Sequence, residues 1–127
     1  MKIRIYYEDT DAGGIVYHTN YLKYCERARS EYFFSSNIDI MSENSHFVVK
    51  NLEANFVKPA YLGDLIEIKT SILEIKNASI KLKQEVFKDD IKLFSMNILL
   101  VFVKNGKVTR MDEKHRLVFD KISVRGN

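Results

Sequence analysis

The 127-residue chain has a single cysteine, Cys25, so neither an intrachain disulfide nor a cysteine-cluster zinc site can hold it together. No apolar run reaches the ~18 to 20 residues that a membrane-spanning helix needs. The first ten residues, MKIRIYYEDT, lack the apolar core and small-residue cleavage site of a secretory signal. These absences fit a reducing, cytoplasmic setting. Charge of one sign is also scarce: 20 Lys and Arg stand against 17 Asp and Glu, a net +3 that rules out a basic nucleic-acid-binding tail. The mild excess at Lys76, Lys81 and Lys83 suits a phosphate-bearing ligand, although strand lysines are more often simply solvated. There is one proline and no repeat, linker or low-complexity stretch, so residues 1–127 read as one domain with one core.

What is present is a globular composition, 46% hydrophobic and 29% charged. Residues 2 to 7 alternate Ile3, Ile5 and Tyr7 against Lys2, Arg4 and Tyr6, the period of a half-buried strand. Glu8 to Thr19 has turn chemistry. From Tyr21 to Phe33 the apolar residues Tyr21, Leu22, Cys25, Ala28 and Tyr32 recur at helical spacing, with Arg29 on the same face, where it must snorkel or meet a carboxylate. That helix is expected to end near Asn37, and residues 38 to 46 read as a polar connection. Strands follow: Phe47 to Val57, with Val48, Leu52, Ala54 and Phe56 on one side, then Leu65 to Ile75, Ile80 to Phe87 and Ile91 to Val103. Ile98 to Val103 is apolar on both faces and reads as a central strand. Asn105-Gly106 accepts the positive φ of a type I′ hairpin. Residues 112 to 127 look like a polar tail with a helical turn. One amphipathic helix needs an apolar partner, and the simplest is the antiparallel sheet curled around it, an α+β architecture.

The densest chemistry lies in residues 7 to 33, YEDTDAGGIVYHTNYLKYCERARSEYF. Asp9 and Asp11 run into Gly13-Gly14, then Ile15-Val16, His18 and Asn20 at a helix start. Glycines give backbone freedom, and a helix start presents unpaired N–H donors. A carboxylate just before such a start can attack a carbonyl, or activate water to do so. Asp9, Asp11 and Gly14 also occupy the first, third and sixth places of a calcium loop, but the twelfth place is Asn20 where Glu is required. His46 and His115 lack paired ligands for zinc, and Cys25, on the apolar helix face, reads as core. No metal or cofactor is expected.

The run Tyr6-Tyr7-Glu8-Asp9-Thr10-Asp11-Ala12-Gly13-Gly14-Ile15-Val16-Tyr17-His18, followed by Asn20-Tyr21, resembles the signature of hotdog-fold acyl-CoA thioesterases of the 4-hydroxybenzoyl-CoA thioesterase type. Within these it is most similar to the bacterial thioesterases encoded beside the Tol-Pal envelope system. Glu26-Arg27-Ala28-Arg29, Pro59-Ala60 and Gly63-Asp64 extend the resemblance over nearly the whole chain. It implies a hotdog fold, a long central helix wrapped by a curved antiparallel sheet of about five strands. It also implies homodimers or homotetramers with active sites at subunit interfaces, and hydrolysis of an acyl-CoA thioester.

By the same resemblance the catalytic carboxylate falls on Asp11, the accompanying histidine on His18 and the tyrosine ahead of the carboxylate on Tyr7. Gly14 makes room for the acyl group. Val48 and Val49, with Ser79 and Lys81 in the turn from Asn77, meet the CoA arm. The residues themselves leave Asp11 open as nucleophile or general base. They place the oxyanion donors among backbone N–H groups around Tyr17 to Thr19. Thr19 and Asn20 are candidate N-caps without a Glu or Gln three residues on. Asp9 reads as a solvated turn residue. The competing reading, from another functional class, is a non-catalytic acyl-binding module that docks acyl carrier protein.

Overall fold

The computed structural model describes residues 1–39 and 44–125, with side chains of the last helix through Ile122. The elements run β1 (Lys2–Arg4), α1 (His18–Ser35), β2 (Ser45–Phe56), β3 (Leu65–Ile75), β4 (Ser79–Lys88), β5 (Ile91–Lys104), β6 (Lys107–Val108) and α2 (Glu113–Arg125). The sheet order is β1-β3-β4-β5-β2 with every pair antiparallel, and β6 folds back on β5. The sheet curls around α1, the hotdog arrangement of an α+β protein. No helix among the described residues is long and apolar enough to cross a membrane.

Alternation explains which face closes on the helix. Ile66, Ile68, Ile80, Leu82, Val86, Phe94, Met96, Ile98, Leu100 and Phe102 point to the core, where α1 delivers Tyr21, Tyr24, Cys25, Ala28 and Phe33. Tyr24 and Phe33 join the stripe in place of Leu22 and Tyr32, which are half-buried at its margin. β5 lies between β4 and β2, and on the side away from α1 Val101 is buried while Leu99 and Val103 are half-buried. Asn105 and Gly106 take φ of 52° and 76°, the pair of positive values that a type I′ turn needs.

Arg29 neither snorkels free nor finds a carboxylate. Its Nη1 donates to Gln84 Oε1 at 2.8 Å, while Gln84 Nε2 donates to Cys25 O at 2.9 Å and Thr70 Oγ1 at 3.1 Å. Gln84 is fully buried, so these bonds satisfy an amide whose desolvation would otherwise go uncompensated. They also fix where α1 sits over β3 and β4.

Three sequence expectations change. β1 ends at Arg4, and Tyr7 lies in a 3-10 turn, Tyr7–Asp9, because Asp9 folds back onto the Tyr6 amide. In β2 the register shifts between Val49 and Asn51, so Val48 does not share a face with Leu52, Ala54 and Phe56. Val49 instead lines a cavity with Leu52, Leu22 and Met96. The supposed polar tail is the helix α2, whose His115, Val118, Phe119 and Ile122 form a buried stripe at helical spacing. Asp112 starts it, accepting the His115 backbone N–H at 3.0 Å and pairing with the His115 ring. Phe33, Phe47 and Phe102 surround that ring, so His115 belongs to the core. Part of the expected connection at 38 to 46, residues 40–43, lies outside the described residues.

Candidate active site

Between the 3-10 turn and α1 the chain makes a small closed loop. Bridges pair Thr10 with Val16 and Ile15 with Tyr61, and Asp11 N donates to Ile15 O at 2.9 Å. Inside this frame Gly14 N donates to Asp11 O at 3.0 Å, and Gly13 N donates to Asp11 Oδ1 at 2.8 Å. One carboxylate oxygen of Asp11 is thereby oriented, and Oδ2 has no hydrogen-bond donor among the described residues. Asp11 is exposed.

The glycines have separate reasons. A Cβ on Gly13 would stand 3.2 Å from Asp11 Oδ1, tighter than ordinary contact. Gly14 has open space around it but holds φ at +79°, in the left-handed region that L side chains avoid. Gly14→Ala is accordingly expected to cost about 1–2 kcal/mol, read as a lower denaturant midpoint with an unchanged slope.

The helix start supplies donors. Tyr17 is the N-cap, with no side-chain cap bond; its own N–H donates to Asp9 O at 3.0 Å, and Asn20 N donates to Tyr17 O at 2.9 Å. The N–H groups of His18 and Thr19 are left without a partner among the described residues. They stand at the positive end of an 18-residue helix. Thr19 and Asn20 are therefore not caps: Asn20 turns its amide backward, Nδ2 donating to Asp9 O at 2.9 Å.

Beside the helix start is a cavity of about 280 Å³ lined by Ile15, Val16, His18, Tyr21, Phe56 and Lys58 among others. Its floor is rigid. Tyr21 stacks on Phe94 at 5.0 Å, and its hydroxyl accepts the Ala60 N–H at 3.1 Å. Burial raises the Tyr21 phenol pKa against that bond, and the Asp64 charge adds to the rise. The His18 ring packs 4.6 Å from Tyr17 and edge-on to Phe56 at 6.2 Å.

The remaining predicted site residues fall elsewhere. Tyr7 is 82% exposed, and its phenol makes no hydrogen bond to Asp11 or His18; nor does His18 bond to Asp11. Val48 is exposed on β2 and Val49 lines the α1-side cavity. Ser79 and Lys81 line a separate groove of about 370 Å³ with Lys50, Lys76, Leu99 and Val101. A larger cavity, about 510 Å³ between α1 and β3, contains none of the candidate residues. Burial pushes the Cys25 thiol up to about 12, which removes it as a nucleophile. No metal-binding group of His, Cys, Asp and Glu gathers among the described residues.

Sequence reasoning read Asp9 as a solvated turn residue and Asn20 as a candidate cap, whereas Asp9 is half-buried and its main-chain oxygen receives the Asn20 amide. An acidic residue that binds through its own main-chain carbonyl leaves no mark in a sequence pattern.

Residues 13–95, which take in the loop from Gly13, the first helix and most of the sheet, match the family model described as Thioesterase superfamily. The chain belongs to that superfamily. It is 51% identical to an acyl-CoA thioesterase YbgC of Helicobacter pylori over 68% of this chain and 65% of that protein, so the match spans a little under two thirds of that relative. With an acyl-CoA thioesterase YbgC of Haemophilus influenzae the identity is 37%, over 85% of this chain and 82% of the other. A solved structure, a hypothetical protein of Aquifex aeolicus, superposes with a TM-score of 0.88 at 29% identity, covering 94% of this chain and 97% of its own. These likenesses hold the superfamily assignment and the hotdog fold together.

Proposed function

We propose that this chain is an acyl-CoA thioesterase, converting water and an acyl-CoA into a carboxylic acid and free CoA. One observation carries the reading: the Asp11 carboxylate, with Oδ2 unengaged, stands on a loop tied directly to the helix start where the His18 and Thr19 N–H groups lack partners. A thioester needs both elements, a nucleophile or base and donors for the oxyanion of the tetrahedral intermediate. Asp11 attacks the carbonyl carbon and expels the CoA thiolate to give a mixed anhydride, which water hydrolyses to the free acid, or it takes a proton from water, whose attack gives a tetrahedral intermediate that expels the thiolate and leaves the acid. His18 heads the helix with its ring on the cavity wall, close to where that thiolate departs. Tyr7 remains at the loop surface, available to the substrate or a second subunit.

The CoA arm calls for that second subunit. β2 pairs with β5 on one side and is the last strand of the sheet, so the edge of Ser45–Phe56 is open. Its Phe56 end adjoins His18, and Lys50, at its middle, lines the lysine groove. From Lys50 to Phe56 the strand spans roughly 20 Å within one chain. Two such edges pairing antiparallel about a two-fold axis near Glu53 set Phe56 of one protomer opposite Lys50 of its partner. The catalytic loop of one protomer then meets Ser79 of its partner and the partner's Lys81, Lys76 and Lys50, three cations placed for the CoA phosphates. A homodimer, or a homotetramer of such pairs, working in the cytoplasm is the assembly this reading requires. Acyl carrier protein is the alternative carrier of the same thioester.

The experiment is a thiol-release assay with CoA thioesters of increasing acyl length. Release that saturates with substrate supports the reading. No release from any of them, with tight binding of acyl carrier protein, would replace it with a non-catalytic docking module.

A further inference from the structure

Asp9, acidic and only two residues from Asp11, holds together the parts that the reaction uses. Its Oδ2 accepts the Tyr6 N–H at 2.8 Å and shapes the 3-10 turn. Its main-chain oxygen accepts two more bonds, from Tyr17 N at 3.0 Å and Asn20 Nδ2 at 2.9 Å. Tyr17 is the N-cap of α1 and Asn20 its third residue, so one carbonyl grips the helix start twice. Beneath it lies Tyr24, 2% exposed, whose hydroxyl makes no hydrogen bond of normal geometry yet feels the Asp9 carboxylate.

We propose that Asn20, acting through the main-chain carbonyl of Asp9, is a positioning residue that sets the Asp11 carboxylate against the free N–H groups of His18 and Thr19. Two consequences follow from the bonding. By engaging Tyr17 N–H, the Asp9 carbonyl defines which helix-start donors remain for an oxyanion. By holding Asn20, it fixes the loop to the helix, while Val16 N is tied separately to Ala60 O at 2.9 Å. The Asn20 amide thus does for the loop what an N-cap side chain ordinarily does for a helix. Misplacing reacting groups by about 1 Å costs on the order of 100-fold in rate. This inference rests on the thioesterase reading.

The test uses the full chain and one CoA thioester that the wild type hydrolyses. Asn20→Ala is expected to lower kcat about 10- to 100-fold with KM within about threefold, because binding surfaces remain while alignment is lost. Val118→Ala, on α2, is the control for lost stability alone: it should lower the melting temperature and leave kcat within about twofold. The proposal is overturned if Asn20→Ala retains wild-type kcat, if its loss appears in KM instead, or if Val118→Ala loses kcat as steeply. If Asn20→Ala does not fold, Asn20→Asp replaces it; facing its carboxylate to the Asp9 carbonyl should lower kcat at least as far, and a wild-type kcat there overturns the proposal equally. A wild type that releases no thiol from any acyl-CoA defeats the underlying reading, an outcome distinct from failure of the lock.

Discussion

Asp11→Asn is expected to lower CoA release by about 10²- to 10⁴-fold, the range associated with loss of a positioned acid–base group, with a melting temperature within a few degrees of wild type. The substitution separates chemistry from architecture unusually well here. Asn retains a side-chain oxygen for the Gly13 N–H that Asp11 Oδ1 now accepts at 2.8 Å, and the main-chain bonds to Gly14 and Ile15 do not involve the side chain. The loop therefore keeps its shape. What disappears is the negative oxygen that, in the proposed reaction, attacks the carbonyl or takes a proton from water. Because both routes need it, steady-state rates alone fall in either case. Near-wild-type release by Asp11→Asn, with folding verified by circular dichroism, would remove Asp11 from the reaction.

The sheet was legible because its signals are local. Leu65–Ile75 matched the expected bounds, and the other long strands shifted at their ends by one or two residues. Alternation and the Asn105-Gly106 turn are written in neighbouring residues. The failures have non-local causes. The β2 phase reverses at a register shift that no residue type announces. In α2 the charges around His115 dominate the composition, while the stripe His115, Val118, Phe119 and Ile122 becomes apolar burial only once Phe33, Phe47 and Phe102 stand opposite. Arg29 faced the core because a buried amide from a strand 55 residues later receives it. The site divides in the same way. The Asp-x-x-Gly spacing and the helix start could be read from the chain, but the donors left free depend on which carbonyl takes Tyr17 N–H, a question of three-dimensional bonding.

A mixing experiment should recover activity from two inactive chains. On the proposed assembly each site takes its carboxylate from one protomer and its phosphate-binding lysines from the other. Asp11→Asn supplies good lysines with no carboxylate. A chain carrying Lys50→Glu and Lys81→Glu supplies a good carboxylate with a repelling groove. At substrate concentrations below KM the second chain should fall by about 10²-fold or more, since each charge-assisted contact to a phosphate contributes about 1.5–3 kcal/mol and reversal adds repulsion. When the two are dissociated and reassociated together, about half of the dimers are mixed, and each mixed dimer has one site with both halves intact. Recovery approaching one quarter of wild-type activity is the expected result. An intrachain site predicts a different number: the lysines and the carboxylate stay paired within each chain, no mixed dimer gains an intact site, and mixing recovers nothing. The separation along β2 favours the first outcome, because Lys50 in the lysine groove and Phe56 beside His18 stand six residues apart on an exposed strand edge, and antiparallel pairing of that edge can set one opposite the other across two protomers.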